Sequence, residues 1–413
     1  MDSVWGSFER LQGEKASGGE MNELVRKSVT DLKNEMIQIR RELHQYPELG
    51  FREKRTANMI EEYLRNLELE VQTGVAETGV VGLLSGCEPG RTILIRADMD
   101  ALPIEEANDV TYRSKNPGVM HACGHDGHMA VSLIAAKILS RLSGEFSGQI
   151  KFVFQPGEEG FGGAREMIKQ GVMSDPIVDA AIGLHLTNTI STGRLAVRAG
   201  PIMASMDSFR MEITGKSGHA AMPEQAVDAI LISSHVITAL QTLISKEISP
   251  LEPLVVHVGM IQGGRAFNVV ADHVELKGTV RATNSELQKS IPKRMERIIN
   301  NLSKSLRGSG KLEYHFDYPP VVNDERIAQM VKKVAISVLG KDNILVIPPM
   351  MASDDIGFFL QDVGGCFFFV GSSNPDKDIM GAHHNPHFDF DEDAMVIGAE
   401  ILIGSALEYL GYR

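Results

Sequence analysis

Six of the 13 histidines fall in two short windows of the sequence, and one of the three cysteines lies in the first of them. The members of these windows are His121, Cys123, His125 and His128, and then His383, His384 and His387. Imidazole and thiolate are the ligands that zinc and similar divalent ions prefer in proteins. Two tight clusters, one of which contains a thiol, therefore favour a metal site.

The first window reads His-Ala-Cys-Gly-His-Asp-Gly-His over residues 121–128. If its start is extended, alternate side chains point to one side, so Cys123 and His125 can meet one ion. Glycines at positions 124 and 127 allow the backbone the tight course that such a site requires. The spacing of the second window does not rank its three histidines.

Three apolar strands each end in side chains that can bind a metal ion. They are Thr92–Ile95, followed by Asp98 and Asp100, then Gln149–Phe154, followed by Glu158 and Glu159, and then Val178–Leu184, followed by His185. Open sheets of parallel strands form their ligand crevice at the carboxyl ends of the strands. The pattern therefore predicts that these side chains share one site.

The adjacent carboxylates Glu158 and Glu159 can divide two tasks. One can bind the metal, while the other accepts a proton from a water whose pKa the metal lowers to about 7. Asp98 and Asp100 could bind the ion directly or orient a ligand imidazole. A single histidine that ends an apolar strand, such as His185, is more often a core residue, so its assignment depends on the neighbouring strand ends.

An α/β fold would bring these residues together, and the sequence predicts one. Strands alternate with helices along most of the chain. Between residues 204 and 316 the order changes to β-α-β-β-α-β, which is the split arrangement of ferredoxin-like domains. We therefore expect a mostly parallel sheet in a discontinuous catalytic domain, residues 21–203 and 317–413, and an inserted α+β domain. We expect residues 1–20 to be a flexible extension, and the apolar periodicity predicts one helix from Glu23 to Tyr46.

Composition excludes several other classes of function. The 413 residues include 54 acidic and 41 basic side chains, a formal net charge of −13, which argues against nucleic acid or an anionic membrane as a partner. No apolar run approaches the roughly 20 residues of a membrane-spanning helix, and the N-terminus lacks the apolar core of a secretory signal. Three cysteines cannot form a disulfide framework in so long a chain, which favours a cytoplasmic location.

Seven sequence motifs together resemble one known family. They are RRELHQYPELGF, RADMDALPI, MHACGHDGHMA, PGEEG, GKSGHAAMP, GGRAFNVVAD and GTVRATN, in that order. Over residues 32–410 the chain resembles the dinuclear metallo-aminoacylase and carboxypeptidase family, in its amidohydrolase branch of hippurate hydrolases and indole-3-acetyl-amino acid hydrolases. The resemblance implies metal-dependent hydrolysis of N-acyl-amino acids. The alternatives are a dipeptidase or carboxypeptidase on the same centre, or a non-catalytic metal-binding relative.

The resemblance also implies a role for individual residues of the catalytic domain. Two divalent ions per subunit, zinc, manganese or cobalt, would be held by Cys123, His125, Glu159, His185 and His384. His384 is chosen because the last ligand of the family directly precedes a residue followed by proline, as in His384-Asn385-Pro386. Glu158 would be the general base and Asp100 would orient a ligand. Other branches carry a histidine ligand where this chain has Asp98, which argues against direct binding through Asp98.

In the inserted domain, composition alone describes ordinary loops, and the functional roles come from the resemblance. His219 would support the oxyanion, while Asn268 and Arg281 would approach the carboxylate of an N-acyl-amino acid or short peptide. The same domain would act as a lid and join subunits into a homodimer or a higher homo-oligomer.

Overall fold

The structure, a computed structural model, describes residues 18–412. Its helices are α1 Gly18–Asp31, α2 Lys33–Gln45, α3 Lys54–Asn66, α4 His125–Arg141, α5 Gly163–Lys169, α6 Ala229–Thr242, α7 Ser285–Ser305, α8 Glu325–Leu339, α9 Gly357–Asp362 and α10 Asp393–Leu410. Its strands are β1 Glu70–Val75, β2 Gly79–Ser85, β3 Glu88–Asp98, β4 Ser147–Gln155, β5 Ala180–Ser191, β6 Leu195–Ala196, β7 Gly200–Met203, β8 Met206–Thr214, β9 Gly218–His219, β10 Leu254–Gly263, β11 Val269–Val270, β12 His273–Ala282, β13 Ser309–Tyr318, β14 Val321–Asn323, β15 Ile344–Leu345 and β16 Gly365–Ser373.

The described chain divides into two compact units. Unit 1 comprises residues 18–200, 323–347 and 358–412, and unit 2 comprises residues 201–322 and 348–357. The sequence pattern indicates a similar division near residues 204 and 316, but nothing in it indicates that residues 348–357 group with the inserted segment.

Unit 1 is built on an eight-stranded sheet in the order β1-β2-β4-β3-β5-β16-β6-β15. The four central strands β4, β3, β5 and β16 run parallel, while β1 and β2 extend one edge in antiparallel fashion. The prediction of an α/β fold with a mostly parallel sheet is thus confirmed. The apolar side chains of the four central strands and of the helices form one large core cluster. Such a cluster is expected for parallel strands covered on both faces.

The register of the central strands aligns the predicted strand ends. Asp98, the last residue of β3, lies opposite Gln155, which ends β4 three positions before Glu158. On the other side of β3, Arg96 lies opposite Gly183, two positions before His185. Hydrogen-bond register therefore brings the three sets of polar residues to one region of the sheet. The predicted end of the third strand is wrong, because β5 continues past His185 to Ser191 and His185 lies within it.

Helix α4 carries His125 and His128, the second half of the first histidine window, and is buried on nearly all sides between α2 and α10. It begins after Gly124, which has a φ of +93°, a conformation that a side chain would strain. At Gly127 a Cβ would lie 2.6 Å from both Leu186 Cδ1 and Phe390 Cζ. These two glycines let the first turn of α4 approach strand β5 closely.

The N-terminal helix differs from its prediction. The single helix expected over Glu23–Tyr46 is two helices, α1 and α2, interrupted at Leu32. The apolar spacing continues across the interruption, with Val29 and Met36 both in the core, so periodicity alone does not reveal it. Of the extension expected over residues 1–20, residues 1–17 lie outside the described residues and the last three belong to α1.

Unit 2 has a four-stranded antiparallel sheet in the order β10-β12-β8-β13, packed against α6 and α7. The expected order β-α-β-β-α-β is observed, and an apolar core separate from that of unit 1 fills the space between sheet and helices. The strand expected over Val269–Arg281 is divided. Its first two residues, β11, pair with β9 at His219, and the rest, β12, enters the sheet.

Among the described residues, one helix is long and apolar enough to span a membrane by length and composition alone, contrary to the expectation from the sequence. Residues Ala229–Glu247, which are α6 and the π-helical turn after it, form a 19-residue helix with a mean hydropathy of 1.3. A core helix meets the same criteria of length and composition. One face of this helix, with Ile232, Val236 and Leu240, is buried in the core of unit 2.

Candidate metal centre

The predicted site residues of unit 1 lie together at the carboxyl edge of its sheet. Overlapping groups of side chains have potential ligand atoms within 4.8 Å of one another. These groups are Cys123 with His125 and His185, Cys123 with Glu159 and His384, His125 with Glu158 and Glu159, and Asp98 with His125 and His128. All five predicted ligands and the predicted base thus belong to one connected cluster.

Cys123 and His185 form the part of the cluster nearest β5. Cys123 Sγ lies 3.6 Å from His185 Nε2, while His185 Nδ1–H donates to the main-chain oxygen of Leu186 at 2.6 Å. This hydrogen bond leaves the Nε2 lone pair facing the thiol. Burial, together with the carboxylates of Glu159 and Glu158, raises the pKa of the Cys123 thiol well above its usual value. Ionisation of this thiol therefore requires a cation beside it.

His125 is held in the same tautomer by a second main-chain oxygen. Its Nδ1–H donates to the carbonyl oxygen of Asp100 at 2.9 Å, so Nε2 faces Glu159 Oε1 at 3.9 Å. Asp100 Oδ2 also accepts the main-chain N–H of Glu159 at 2.9 Å. Burial opposes the charged form of His125, but Asp98 and Asp100 raise its pKa to about 10. Asp100 therefore lies where it can orient two of the predicted ligands at once.

The turn that presents Glu158 and Glu159 is held by a carboxylate that the sequence analysis does not identify. The main-chain N–H of Gly157 donates to Glu53 Oε1 at 3.0 Å, and Thr78 Oγ1 donates to Glu53 Oε2 at 2.5 Å. Burial raises the pKa of Glu53 to about 7. Glu158 itself is only 7% exposed. The predicted base is thus placed in the low-dielectric surroundings that strengthen electrostatic interactions.

The structure separates the three histidines that spacing does not rank. His384 lies in a turn with a φ of +60°, and its own main-chain N–H donates to Ala122 O at 2.8 Å. The Nε2 of His384 lies 3.2 Å from Glu159 Oε1. His383 Nε2 instead accepts the main-chain N–H of Asn188 at 3.4 Å, and burial lowers its pKa to about 4. His387 belongs to no candidate group among the described residues.

A buried charge network lies behind the histidine window. Arg40, fully buried in α2, donates to Asp126 Oδ2 at 2.9 Å and to Asp389 Oδ1 at 2.6 Å. His44 Nδ1 lies 2.8 Å from the same Asp126 oxygen. Since Asp126 directly follows His125, the network fixes the first turn of α4. The sequence signal for it is the pair of charged residues at positions 40 and 44, on the apolar face of α2 beside Ile39 and Leu43.

The three site residues predicted in the inserted domain lie in unit 2. His219 and Asn268 are exposed neighbours, because the main-chain N–H of Ala220 donates to Asn268 O at 3.1 Å. Arg281 lies on β12, where its Nη1 donates to Ser353 Oγ at 2.8 Å and burial lowers its pKa. The roles of these three residues stay predictions.

The donor set fits a divalent cation. It combines one thiol, imidazoles and carboxylates, the set that borderline ions such as zinc prefer. The buried atom His125 Nε2 makes no hydrogen bond among residues 18–412, and its neighbours Glu159 Oε1 and Asp98 Oδ2 lie 3.9 and 3.6 Å away. Buried polar atoms without partners are rare in native proteins, so this one is evidence for an ion that it would bind.

Comparisons with known proteins agree with this geometry. The sequence model of peptidase family M20/M25/M40 matches residues 94–408. The N-acyl-L-amino acid amidohydrolase of Geobacillus stearothermophilus is 45% identical over 305 residues, covering 73% of this chain and 81% of its own length. Thermostable carboxypeptidase 1 of Saccharolobus solfataricus is 36% identical over 381 residues, which cover 91% of this chain and 96% of its own length. The crystal structure of the Bacillus subtilis YXEP protein, a dinuclear metal binding peptidase of family M20, superimposes with a TM-score of 0.82 at 30% identity, covering 93% of this chain and all of that one.

The parallel sheet and the cluster at its carboxyl edge define a metal-dependent hydrolase of linear amide bonds. The chain belongs to peptidase family M20/M25/M40. The family resemblance drawn from the seven motifs is thus confirmed, as is the prediction of a hydrolytic enzyme.

Proposed function

We propose that this protein hydrolyses the amide bond of N-acyl-amino acids at a dinuclear metal centre. The observation that carries the proposal is the position of Glu158, a buried carboxylate within one ligand-atom group with His125 and Glu159. A general base must lie beside the attacking water, and the metal-binding groups define where that water is held. The amidohydrolase relative supports the choice of N-acyl-amino acids as substrates.

In this proposal five side chains hold the two ions, namely Cys123, His125, Glu159, His185 and His384. When bound, the ions act as Lewis acids on the scissile carbonyl and on the attacking water. Glu158 accepts the proton of that water and passes it to the leaving amine. Asp100 keeps His125 and Glu159 in place through its carbonyl and carboxylate oxygens.

Zinc, manganese and cobalt all suit this donor set. The thiol and imidazoles favour zinc, while the carboxylates also accept manganese or cobalt. The ion that restores activity to metal-free protein identifies the functional metal.

The residues of unit 2 would act on the rest of the substrate. We assign His219 to the oxyanion, and Asn268 and Arg281 to the substrate carboxylate. The exposure of His219 and Asn268 supports these roles, as does the guanidinium of Arg281, which pairs naturally with a carboxylate. Removal of a single oxyanion donor typically lowers kcat by about 100- to 1,000-fold, so His219→Ala would fall in that range.

The proposal is tested by a hydrolysis screen on metal-free protein reloaded with zinc, manganese or cobalt. The substrates are N-acetyl- and N-benzoyl-amino acids, free dipeptides, and peptides cleaved at their C-terminus. We expect kcat/KM to be highest for the N-acyl-amino acids. Faster cleavage of dipeptides or of C-terminal residues would identify a peptidase, which the carboxypeptidase relative supports. Stoichiometric metal without hydrolysis of any substrate would identify a metal-binding relative.

We also propose that unit 2 joins two subunits into a homodimer. Strand β10 lies at an edge of its sheet and exposes Met260 and Ile261, each about half accessible. Helix α6, which packs against the same strand, exposes Ile230 and Leu231 to a similar extent. Exposed apolar side chains near a strand edge with no neighbouring strand among the described residues are typical of a surface that a second subunit covers.

A further inference from the structure

Asp98 and His128 are fully buried in the cluster, yet the proposed function gives neither a role. With His125 they form a group whose ligand atoms lie within 4.8 Å of one another, which makes them candidates for a third set of metal ligands. The hydrogen bonds of each atom decide between a ligand and a supporting role.

The main chain fixes the tautomer of His128. The N–H of Leu186 lies 2.9 Å from His128 Nε2, and an amide nitrogen can only donate, so Nε2 carries a lone pair and accepts. The ring proton is therefore on Nδ1, where it donates to Asp98 Oδ1 at 2.6 Å. Both nitrogens of His128 are thus engaged, and neither has a lone pair left for an ion.

Asp98 is equally engaged at its second oxygen. Arg96 Nη1 donates to Asp98 Oδ2 at 2.7 Å, and Arg96 Nε donates to Gln155 Oε1 at 2.8 Å. The Arg96 guanidinium balances the negative charge of the buried Asp98 carboxylate. The three side chains form a charge-balanced hydrogen-bonded array rather than a cation site.

The array connects to the cluster through residue Leu186. The main-chain N–H of Leu186 donates to His128 Nε2, and the main-chain oxygen of Leu186 accepts the Nδ1–H of His185 at 2.6 Å. That second hydrogen bond sets the His185 tautomer and directs its Nε2 toward Cys123 Sγ, 3.6 Å away. A change at His128 therefore alters the backbone on which the orientation of the His185 ring depends.

We propose that His128, held by Asp98, is a positioning residue that orients His185 through the Leu186 main chain. The inference rests on the proposed function, because His185 is assigned there as a metal ligand.

The test uses metal binding by the full-length protein. Metal-free wild type, His128→Leu, His128→Gln and the control Ser132→Ala are titrated with Co²⁺ against a competing chelator, and the thiolate-to-cobalt absorption band is recorded. Ser132 is matched because it is buried one turn further along α4. We expect His128→Leu to keep two equivalents at saturation but to bind one ion about 10- to 100-fold more weakly. The carbonyl of His128→Gln can still accept the Leu186 N–H, so this variant recovers much of the affinity, and the control stays at wild-type affinity.

Several results would overturn the inference. Unchanged affinity in His128→Leu would show that the array has no bearing on the site, and equal loss in the leucine and glutamine variants would exclude the acceptor role of Nε2. Loss of a whole equivalent at saturation would make His128 itself a ligand. If His128→Leu does not fold, Asp98→Ala decides, because it removes the acceptor that holds His128 Nδ1–H, and unchanged affinity in that variant contradicts the proposal. A wild type that binds no Co²⁺ would instead overturn the proposed function.

Discussion

Two histidines of the cluster, His125 and His185, each donate their Nδ1 proton to a main-chain oxygen. The acceptors are the carbonyls of Asp100, two residues after β3, and of Leu186, in the middle of β5. In each ring this directs Nε2, the atom that an ion would bind, into the cluster. Main-chain oxygens thus set the orientation of the His125 and His185 rings before any ion binds.

At this scale the first prediction concerns Glu158. Glu158→Gln keeps the shape of the side chain but removes its ability to accept a proton, so kcat should fall by about 100- to 10,000-fold. Metal content, measured by elemental analysis, should stay at the wild-type value because Glu158 is not an assigned ligand. The control is Glu166→Gln, a partly exposed glutamate on α5. Near-normal turnover of the Glu158 variant would remove this residue from the role of base.

The second prediction distinguishes the C-terminal histidines. His384→Ala should lower bound metal or weaken one ion, because its Nε2 lies 3.2 Å from Glu159 Oε1. His387→Ala, three residues away on an exposed turn, should bind metal as the wild type does. Undiminished stoichiometry and affinity in the His384 variant would show that the wrong histidine was assigned.

At the scale of elements, helix α2 supports the site from a distance. It brings the fully buried Arg40 between the rings of Tyr112 and Phe390, 4.6 and 4.4 Å from their centres, and into contact with Asp126 at the start of α4. A buried arginine with several carboxylate partners is stable only while all of them remain in place. The position of the histidine window therefore depends on how α2 packs against α4.

Arg40→Met tests this packing. The variant leaves Asp126 and its neighbouring carboxylates buried without their cation, which should lower the free energy of unfolding by about 3–5 kcal/mol. Arg41→Met is the matched control. Glu392 accepts from both arginines, from Arg40 Nη1 at 3.3 Å and from Arg41 Nη2 at 2.7 Å, but the Arg41 side chain is 42% exposed, and a surface pair contributes about 0–1 kcal/mol. Denaturant titration of metal-free protein measures both. Equal effects would contradict the role assigned to Arg40.

The sheet of unit 2 contains a carboxylate that makes stability depend on pH. Burial raises the pKa of Asp207 to about 6, although Tyr314 Oη and Gln288 Nε2 donate to it at 2.6 and 2.7 Å. A raised pKa in the folded state means that the folded protein binds more protons than the unfolded chain between about pH 4 and 6. This contribution to stability is therefore complete below pH 4 and is lost as pH rises through 6.

Asp207→Asn should remove this dependence. Relative to wild type, the variant should gain about 3 kcal/mol in free energy of unfolding between pH 4 and pH 7, from a pKa difference of about two units. Denaturant titrations at several pH values measure it, with Glu296→Gln on the exposed face of α7 as control. A constant difference between Asp207→Asn and wild type would show that Asp207 does not titrate in this range.

At the scale of the whole molecule, the candidate metal cluster and the proposed subunit interface lie in two units with separate apolar cores. Unit 1 contains the entire candidate metal cluster. Unit 2 contains the exposed apolar residues of α6 and β10, together with the residues assigned to the substrate. The proposed interface can therefore be tested by a substitution that changes no proposed metal ligand.

Leu231→Glu is predicted to dissociate the proposed homodimer. Leu231 is 51% exposed on α6, and a carboxylate there would have to be desolvated in a subunit interface. Sedimentation velocity should show dimer for wild type and monomer for the variant, with two metal equivalents retained. The control is Leu251→Glu, at a 90% exposed position in a turn. A monomeric wild type, or a dimeric Leu231 variant, would contradict the proposed interface.

The sequence by itself determined the class of fold and predicted which residues lie in the candidate site. Apolar strands that end in Asp98, Glu158 and His185 predict an edge of a parallel sheet, because local alternation and turn residues are readable along the chain. Cys123 and His125 are identifiable for the same reason, since they lie two positions apart in one turn. Family motifs then supply roles that spacing alone leaves open.

Only the tertiary structure decided the relations between distant residues. It separates His384 from His383 and His387, assigns the proton of His128, and shows that Glu53 and Arg40 hold the turns that carry the site. It also interrupts the first helix at Leu32, where the apolar pattern continues. The reason is physical: a ligand set depends on distances of a few ångströms between atoms far apart in sequence, and strand register and helix packing fix those distances.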